Sequence, residues 1–422
     1  MDKFNRPTGT QDLLPVEQPY WEYVSSSAAA TARRFGYERI ETPIFESTGL
    51  FARGVGGATD IVEKEMYSFR DKGDHPLTLR PEFTAGVVRA YIENGLHTLP
   101  KPVKLFSIGP IFRYERPQAG RFRQFHQFNA ELFGIQDPLA DLESMLLAWD
   151  LYAGWDFKGL SFQINSTGCP ACRPTYSAAL REYYQQHLHE ICDDCKRRLE
   201  TNPLRVLDCK QERCQPVIAG APQSITYLCA ECAAHFASLR SYLDALARPY
   251  TINPRLVRGL DYYTKTVFEV WAEGIGAQAA VCGGGRYDGL IELLGGQPTP
   301  AVGFAAGLER IILVMKAQGL TPPPLPVPPV FIAFSGDAAR ITAIRLLVEL
   351  RAAHLGAQIA MGGSLKAQLR QADKSQARLV LIAGEDELAR GEVSLKDLTT
   401  GAQTAVPLAE VAARIARALG AP

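Results

Sequence analysis

Two stretches of alternating residues stand close together in the chain, at 105–114 and 122–133. Within each, apolar and aromatic residues alternate with polar ones. A period of two predicts β-strands with one buried face. The residues between them, 116–121, include a proline, a glycine and two arginines, a composition typical of a loop. The pattern therefore predicts an antiparallel hairpin with a long basic tip.

The polar residues of this hairpin form rows, because residues two apart in a strand point to the same face. Arg113 and Glu115 are predicted to share a face of the first strand. A second row lies along the returning strand: Phe125, Gln127, Asn129 and Glu131. Alternation of this kind is commonly the solvated face of a half-exposed sheet. The aromatic residues interleaved with the rows favour the wall of a binding site instead.

Helical patterns flank the hairpin. We expect helices at 18–35 and 141–154, and a third that has Pro81 in its first turn. Glu82 and Thr84 lie at the start of this third helix, where the helix dipole by itself favours a carboxylate. Their position is equally compatible with contact to a ligand.

Three further segments carry residues that suit ligand binding. The run LVRGLDYYTKTVFEVW, from Leu256, combines an arginine, an aspartate and two tyrosines with an alternating strand. In AVCGGGRYDGL, from Ala280, three glycines either form a tight turn or allow the backbone to approach a ligand closely. The segment 299–318 is predicted to be a strand that enters a helix, and Arg310 lies off the apolar stripe of that helix.

A proline-rich stretch, TPPPLPVPP at 321–329, is predicted to be a semi-rigid linker. We expect a catalytic domain at 1–320 before it. The segment after it, 330–422, alternates strands and helices in βαβαβ order, which predicts a small, largely parallel sheet flanked by helices. This segment contains no evident catalytic constellation and is therefore interpreted as a binding module.

A cysteine-rich insert interrupts the first domain at about 167–247. Eight of the nine cysteines lie in it as four close pairs. The first two pairs have the C-x2-C spacing of a zinc site, so Cys169, Cys172, Cys192 and Cys195 are candidate ligands. Four thiolates leave no open coordination position, and such a metal would therefore be structural. The alternative is that the cysteines are small buried apolar residues.

Composition limits the class of protein. With 422 residues, 46% of them hydrophobic and 21% charged, the chain has enough apolar material for a large core. Its 45 basic and 45 acidic residues cancel, so contact with nucleic acid would depend on local patches. No apolar run approaches about 18 residues and the N-terminus has no signal-like apolar segment, so we expect a cytoplasmic protein without a membrane span.

Several of these segments resemble the signature motifs of a known family. FRYERPQAGRFRQFHQFNAELFG is similar to the second motif of class II aminoacyl-tRNA synthetases, GFAAGLERI to the third, and the segment around Pro43 to the first. LVRGLDYYTKTVFE and CGGGRYDGL closely resemble the two motifs peculiar to histidyl-tRNA synthetases. The resemblance covers nearly the whole chain, although paired cysteines in the insert are not a universal feature of that family.

The resemblance implies a fold class and an activity. The fold is an α+β catalytic domain built on a mostly antiparallel sheet flanked by helices, with a mainly helical cysteine-rich insert and a C-terminal α/β domain that binds the anticodon. The activity is ATP-dependent ligation of L-histidine to tRNA(His) through a histidyl-adenylate, in a homodimer. In this family the insert clasps the acceptor arm of the tRNA.

The resemblance also implies roles for the residues that match the motifs. Arg113 would contact the α-phosphate of ATP, Arg310 the γ-phosphate, and Arg258 the reacting centre, where other class II enzymes use a metal ion. Phe125 would stack on adenine and Glu115 would read its edge. Mg2+ would remain with the ATP phosphates.

Histidine and tRNA would contact a further set of residues. By resemblance, Glu131 and Tyr263 would hold the imidazole ring. The amino and carboxylate ends would be held by Glu82, Thr84, Gln127, Tyr262 and Tyr287. At the hairpin tip, Arg116 and Gln118 would approach the first nucleotides of the acceptor end.

Two other functions are compatible with such a fold. A catalytically inactive paralogue, such as the regulatory subunit of ATP phosphoribosyltransferase, ordinarily lacks the anticodon domain, so residues 330–422 and the intact Arg258 count against it. A tRNA-sensing module without chemistry usually accompanies a kinase domain, which the sequence lacks. The residues therefore favour the ligase.

Overall fold

The structure is a computed structural model of the chain. The described residues are 3–57, 59–116, 120–257, 259–274 and 280–420. The chain divides into two compact units, residues 1–323 and 324–422. The boundary between the units falls inside the proline-rich stretch.

The first unit contains a large sheet and a small one. Its strands are β1 (Glu38–Arg39), β2 (Phe45–Ser47), β3 (Tyr67–Arg70), β4 (Pro76–Leu79), β5 (Val103–Phe112), β6 (Gln124–Phe133), β7 (Ser161–Ser166), β8 (Tyr250–Ile252), β9 (Thr264–Trp271), β10 (Ala280–Arg286) and β11 (Ala301–Gly307).

Helices cover the sheets and build the insert. They are α1 (Gln18–Arg34), α2 (Thr48–Val55), α3 (Thr84–Glu93), α4 (Pro138–Gly154), α5 (Arg173–Gln186), α6 (Asp193–Thr201), α7 (Gln215–Ala219), α8 (Ala230–Ala245), α9 (Leu290–Leu293) and α10 (Leu308–Ala317). Short helical turns add Ile61–Glu65, Leu96–Thr98, Pro203–Asp208, Glu212–Cys214 and Ser224–Tyr227.

The large sheet has the order β1-β5-β6-β11-β10-β9-β7-β8. Its neighbouring strands are antiparallel except for β1 with β5 and β7 with β8. The small sheet, β2-β4-β3, is antiparallel throughout. The prediction of a mostly antiparallel sheet flanked by helices is confirmed. Pro43 lies between β1, at the edge of the large sheet, and β2 in the small one.

The two faces of the large sheet have different neighbours. On one face, α1, α4 and α10 enclose an apolar core that includes Phe128 and Ala130 of β6. Successive residues of a strand point to opposite faces. Gln127, Asn129 and Glu131 therefore point to the other face, where α3 packs and a second, smaller apolar cluster forms. The polar row predicted from alternation is thus turned away from the main core.

The predicted hairpin is confirmed, since β5 and β6 pair as antiparallel neighbours. The first strand ends at Phe112, two residues earlier than the alternation predicts. Beyond it, the N–H of Glu115 donates to the carbonyl of Arg113 at 2.8 Å, and the chain turns. The prediction that Arg113 and Glu115 share a strand face was therefore wrong, and both residues follow the strand.

The three glycines before Arg286 lie inside β10, so a tight turn at this position was the wrong interpretation. A Cβ on Gly284 would lie 2.2 Å from the carbonyl oxygen of Gly303 on β11. A Cβ on Gly285 would lie 2.5 Å from the carbonyl oxygen of Thr266 on β9. The neighbouring strands approach too closely for a side chain, which explains Gly284 and Gly285.

The cysteines of the insert form two groups of four. The proximal cluster consists of Cys169, Cys172, Cys229 and Cys232. The distal cluster consists of Cys192, Cys195, Cys209 and Cys214. The prediction that joined the first two pairs in one site was wrong. A C-x2-C spacing brings two thiols together, but the packing of the helices decides which other pair faces them.

The first five elements of the second unit follow the predicted βαβαβ order, and further elements that were not predicted come after them. It contains β12 (Val330–Phe334), α11 (Asp337–Ala352), β13 (Ala357–Ile359), α12 (Leu365–Lys374), β14 (Leu379–Ala383), α13 (Glu385–Ala389), β15 (Glu392–Asp397), β16 (Gln403–Pro407), the turn Leu408–Glu410 and α14 (Val411–Leu419). Its sheet, β13-β12-β14-β15-β16, is parallel across the first three strands and antiparallel beyond them, so the prediction of a largely parallel sheet was wrong for β15 and β16. Over the described part of the chain, every helix is too short or too polar to cross a membrane.

Candidate active site

Two cavities open beside β6 and share a wall. The smaller cavity has a volume of about 120 Å³ and the larger about 650 Å³. Arg113, Gln127, Gly283 and Ala305 line both. Ligands that occupy the two cavities would therefore meet beside Arg113 and Gln127.

The residues with a suggested role in histidine binding come together around the smaller cavity. Its lining includes all seven: Glu82, Thr84, Gln127, Glu131, Tyr262, Tyr263 and Tyr287. They belong to four separate parts of the chain, namely the start of α3, the strand β6, the segment that precedes β9 and the segment that follows β10. Their proximity depends on the pairing of the strands between them.

Glu131 is a buried carboxylate with three donors around it. The Thr84 hydroxyl donates to its Oε1 at 2.6 Å and the Asn129 amide donates to the same atom at 3.0 Å. The Tyr287 hydroxyl donates to Oε2. Burial, with the nearby charge of Glu82, raises the pKa of Glu131 to about 7, although the three hydrogen bonds lower it. Its charge therefore changes close to neutral pH.

The Glu82 carboxylate both caps the start of α3 and lines the smaller cavity. Its carboxylate accepts hydrogen bonds from the backbone N–H groups of Thr84 at 2.6 Å and Ala85 at 2.9 Å, at the start of α3. Burial raises the pKa of Glu82, and these hydrogen bonds oppose the rise. The structural role that a carboxylate has at a helix start is therefore compatible with a position in the cavity wall.

Three tyrosines form the aromatic side of the smaller cavity. The ring centroids of Tyr262 and Tyr263 lie 4.7 Å apart, and those of Tyr262 and Tyr287 lie 5.5 Å apart. Burial raises the pKa of Tyr262 and of Tyr287 well above the ordinary value. Both side chains therefore keep their hydroxyl protons near neutral pH, and the proton of Tyr287 is donated to Glu131.

Two amide oxygens of the polar row are available for a ligand. Gln127 Oε1 and Asn129 Oδ1 are buried, and neither has a hydrogen-bond partner among the described residues. A buried acceptor without a donor costs about 1–3 kcal/mol. A ligand that presents N–H groups would remove this cost. Asn129 was not among the candidate ligands, and the signal that identifies it is its place in the row between Gln127 and Glu131.

The larger cavity has basic and aromatic walls. Its lining includes the four residues that the family resemblance assigns to ATP: Arg113, Glu115, Phe125 and Arg310. Arg113 donates through Nε to the carbonyl of Pro81 at 2.8 Å, and its guanidinium carbon lies 5.6 Å from the centroid of the Phe125 ring. Burial and the neighbouring charge of Arg121 lower the pKa of Arg310. Arg310 and Arg121 both line this cavity, and the proximity of their like charges favours an anion there.

Three predicted site residues remain, namely Arg258, Gln118 and Arg116. Arg258 and Gln118 lie outside the described residues. Arg116 is exposed near the hairpin tip and is absent from the described lining of both cavities. Its contact with the acceptor end of a tRNA stays a prediction.

The larger cavity also has a wall that the sequence does not indicate. Asp208 and Lys210, from the insert, line it and form an ion pair at 3.0 Å. Neither residue belongs to a recognisable motif. Their position depends on how the insert folds back onto the catalytic sheet, and no local pattern reports that contact.

Comparison with known families agrees with this geometry. The family model described as histidyl-tRNA synthetase matches residues 9–311, which is well over half of the chain. The chain belongs to the histidyl-tRNA synthetase family. A second model, described as an anticodon binding domain, matches residues 330–418. The residues matched by the first model, 9–311, include the insert and the described residues that line the two cavities.

Relatives with high identity span the full length. The chain is 51% identical over 413 residues to a histidine–tRNA ligase of Dehalococcoides mccartyi, covering 98% of this chain and 99% of the relative. It is 52% identical over 404 residues to a histidine–tRNA ligase of Pelotomaculum thermopropionicum, covering 96% and 95%. The alignments with these relatives therefore include both the insert and the C-terminal unit of this chain.

Solved structures give the same result for the fold. Apo histidyl-tRNA synthetase of S. aureus matches with a TM-score of 0.83 and 37% identity, over 98% of this chain and 99% of that one. A Bacillus halodurans protein described as an ATP phosphoribosyltransferase regulatory subunit/histidyl-tRNA synthetase matches with a TM-score of 0.61 and 22% identity, over 91% and 99%. The second similarity concerns the fold alone.

Replacing Gly303 with alanine is expected to damage the smaller cavity. A Cβ at this position would lie 1.7 Å from Glu131 Oε2 and 2.5 Å from the carbonyl oxygen of Ala130. Overpacking of this kind costs about 1–3 kcal/mol. We expect a lower melting temperature and weaker histidine binding, measured by thermal unfolding and calorimetry. Gly154→Ala is the matched control, because a Cβ there meets nothing within 4 Å; equal effects of the two changes would contradict the steric explanation.

Proposed function

We propose that this chain is a histidine–tRNA ligase. It activates L-histidine with ATP to histidyl-adenylate and pyrophosphate, and then transfers histidine to the 3′ end of tRNA(His) with release of AMP. One observation carries the proposal: a small cavity rich in buried hydrogen-bonding groups adjoins a larger cavity with arginine walls, and the two share Arg113 and Gln127.

The smaller cavity would bind histidine. Glu131 accepts an N–H of the imidazole, and Tyr263 contacts the ring. The amide oxygen of Gln127, which lacks a partner among the described residues, accepts from the α-ammonium, with Glu82 supplying negative charge. Thr84, Tyr262 and Tyr287 complete the pocket.

The larger cavity would bind ATP with Mg2+. Phe125 stacks on adenine and Glu115 reads its edge. Arg113 contacts the α-phosphate and Arg310 the γ-phosphate, since the planar guanidinium suits bidentate contact with phosphate oxygens. Arg258 is proposed to act at the reacting centre by its place in the family motif.

The chemistry is the attack of a histidine carboxylate oxygen on the α-phosphorus, with pyrophosphate as the leaving group. Two negatively charged groups must approach each other in line, so positioning and charge neutralisation dominate the catalysis. Arg113 stands where the two cavities meet and is suited to both tasks. Mg2+ bound with ATP supplies further positive charge at the phosphates.

Binding of tRNA would use surfaces outside the two cavities. We propose that the C-terminal unit binds the anticodon and that the insert and the hairpin tip, with Arg116 and Gln118, approach the acceptor end. The working form is proposed to be a cytoplasmic homodimer. Four-thiolate clusters such as those in the insert suit zinc.

Rejection of other amino acids would follow from the same cavity. A site built to hydrogen-bond its substrate rejects analogues that lack the matching groups by about 10⁴–10⁵-fold. Glu131, Asn129 and the buried amide oxygen of Gln127 are groups of this type. A separate editing domain is therefore unnecessary, and the insert is proposed to contribute to tRNA binding instead.

Histidine-dependent exchange of labelled pyrophosphate into ATP tests the proposal directly. We expect exchange with histidine and not with other amino acids, followed by charging of tRNA(His). A folded preparation with no exchange would favour the inactive paralogue or the tRNA-sensing module. Binding of tRNA(His) without exchange would favour the sensing module.

Binding of histidine is expected to weaken as the pH falls below 7. The pKa of Glu131 is raised to about 7 by burial and by Glu82, so its carboxylate is protonated below that pH and loses the charge that attracts an imidazole N–H. The KM for histidine should rise between about pH 8 and pH 6, while the KM for ATP changes less. Glu131→Gln should retain only the titration of the substrate, and identical profiles for the two proteins would contradict the role of Glu131.

A further inference from the structure

The two cysteine clusters each have the geometry of a site for a single ion. In each cluster all four Sγ atoms lie within 4.8 Å of one another. In the proximal cluster, Cys169 Sγ lies 3.7 Å from Cys172 Sγ and 3.9 Å from Cys229 Sγ. In the distal cluster, two of the distances between sulfurs are 3.8 and 3.9 Å.

These distances identify the kind of site. A tetrahedral ion with bonds of about 2.3 Å to sulfur places its ligands about 3.8 Å apart. A disulfide requires about 2.05 Å between sulfurs, so the thiols are too far apart to be bonded in pairs. Four thiolates around one centre are the ligand set of structural zinc.

Backbone N–H groups already point to the sulfurs. In the proximal cluster, Cys229 N donates to Cys172 Sγ at 3.0 Å. In the distal cluster, Cys192 N donates to Cys214 Sγ at 3.2 Å and Gln211 N to Cys209 Sγ at 3.4 Å. Such donors orient ligands and stabilise the negative charge of coordinated thiolates.

The proximal cluster adjoins the segment that carries Tyr263. Arg173, next to Cys172, donates through Nη2 to the carbonyl of Tyr263. The N–H of Lys265 donates to the carbonyl of Gly168, next to Cys169, at 2.8 Å.

The backbone of Lys265 has an unfavourable conformation that these contacts stabilise. Its backbone φ is 50°, a conformation that L residues adopt at a cost and keep only where the surroundings hold it. Its ammonium pairs at 2.8 Å with Glu231, which lies between Cys229 and Cys232. Both halves of the proximal cluster therefore hold this residue, two positions after Tyr263.

The distal cluster contacts the same segment through a different part of the insert. The turn Pro203–Asp208 leads directly into Cys209, and its Arg205 donates to Asp261 Oδ1 at 3.0 Å and to the carbonyl of Gly259 at 2.8 Å. The two clusters thus hold the segment 259–265 between them. This segment carries Tyr262 and Tyr263 of the smaller cavity.

We propose that the insert holds two zinc ions, one in each cysteine cluster, and that together they position the segment 259–265 for histidine binding. The metal sites stand independently of the ligase activity, whereas the effect on histidine rests on the proposed function. In this arrangement the residues around the ions act as positioning residues, because none of the cysteine ligands lines the smaller cavity over the described residues.

Metal analysis of the full-length protein, purified without chelator, tests the first part. We expect two zinc ions per chain by elemental analysis and native mass spectrometry, each with four sulfur neighbours at about 2.3 Å by X-ray absorption. Cys195→Ser and Cys232→Ser should each retain one zinc. Cys282→Ser, a change in β10 outside both clusters, should retain two. Fewer than two ions in the unaltered protein, or a metal other than zinc, would overturn the proposal.

Kinetics of pyrophosphate exchange test the second part. We expect Cys195→Ser and Cys232→Ser to raise the KM for histidine about tenfold with the KM for ATP within about twofold, since small displacements of positioning groups affect the substrate that they face. Cys232→His, which preserves a zinc ligand set, should restore both the second ion and the KM for histidine. Equal changes in both KM values, or loss of one ion with no change in either KM, would overturn the positioning role. If the unaltered protein shows no exchange at all, the ligase function fails while the metal count still decides the two sites.

Discussion

Arg113→Ala is expected to lower the rate of histidine-dependent pyrophosphate exchange by about 10³-fold, the range found when a preorganised electrostatic contact is removed from an active site. Arg113 lines both cavities, and its Nε is anchored to the carbonyl of Pro81, which holds the guanidinium in place. The loss should appear in kcat, because the contact matters most as charge develops at the α-phosphorus.

Two comparisons make the Arg113 result specific. Arg113→Lys keeps the charge but loses the bidentate fork, so we expect an intermediate rate. Arg70→Ala removes an arginine whose side chain is 62% exposed and paired with Asp74, and it should leave exchange unchanged. Exchange within twofold of the unaltered protein in Arg113→Ala would remove this residue from the chemistry.

Glu131→Ala is expected to raise the KM for histidine by about a hundredfold, the loss of a hydrogen bond to a buried charged group. Its three donors, from Thr84, Asn129 and Tyr287, hold the carboxylate in one orientation. The KM for ATP should change far less, because Glu131 lines only the smaller of the two cavities.

The Glu131 result needs a check on folding and a matched control. Thermal unfolding in the presence and absence of histidine separates lost binding from lost structure, since only a protein that binds histidine is stabilised by it. Glu22→Ala, on the exposed side of α1, should leave both KM values unchanged. Equal increases in the two KM values of Glu131→Ala would move Glu131 out of the histidine pocket.

The polar row of β6 shows how far a local pattern can reach. Alternation correctly predicts the hairpin and the common face of Gln127, Asn129 and Glu131, because the direction of side chains in a strand depends only on the backbone. The alternation favours a binding wall over a solvated face only through the aromatic residues interleaved with it, and it does not show what covers the row. The helix α3 and the tyrosines of distant segments decide between them by covering that face.

Glu82 and the glycines of β10 show where a local pattern cannot distinguish between two structural roles. A carboxylate at a helix start has the same local signal whether it only caps the helix or also lines a cavity, and Glu82 does both. Three glycines have the same local signal in a turn and in a strand. The close approach of the carbonyls of Gly303 and Thr266 is the reason for Gly284 and Gly285, and it exists only once β9, β10 and β11 pair.

The sequence by itself determined the hairpin, the first five elements of the C-terminal unit, the family motifs and the residue types of the site, because these depend on short-range periodicity and on residue identity. Only the tertiary structure decided which cysteine pairs share a cluster, that Asp208 and Lys210 reach the larger cavity, and that the two cavities meet at Arg113. These are contacts between segments far apart in the chain, and their formation depends on strand pairing and helix packing that no local pattern encodes.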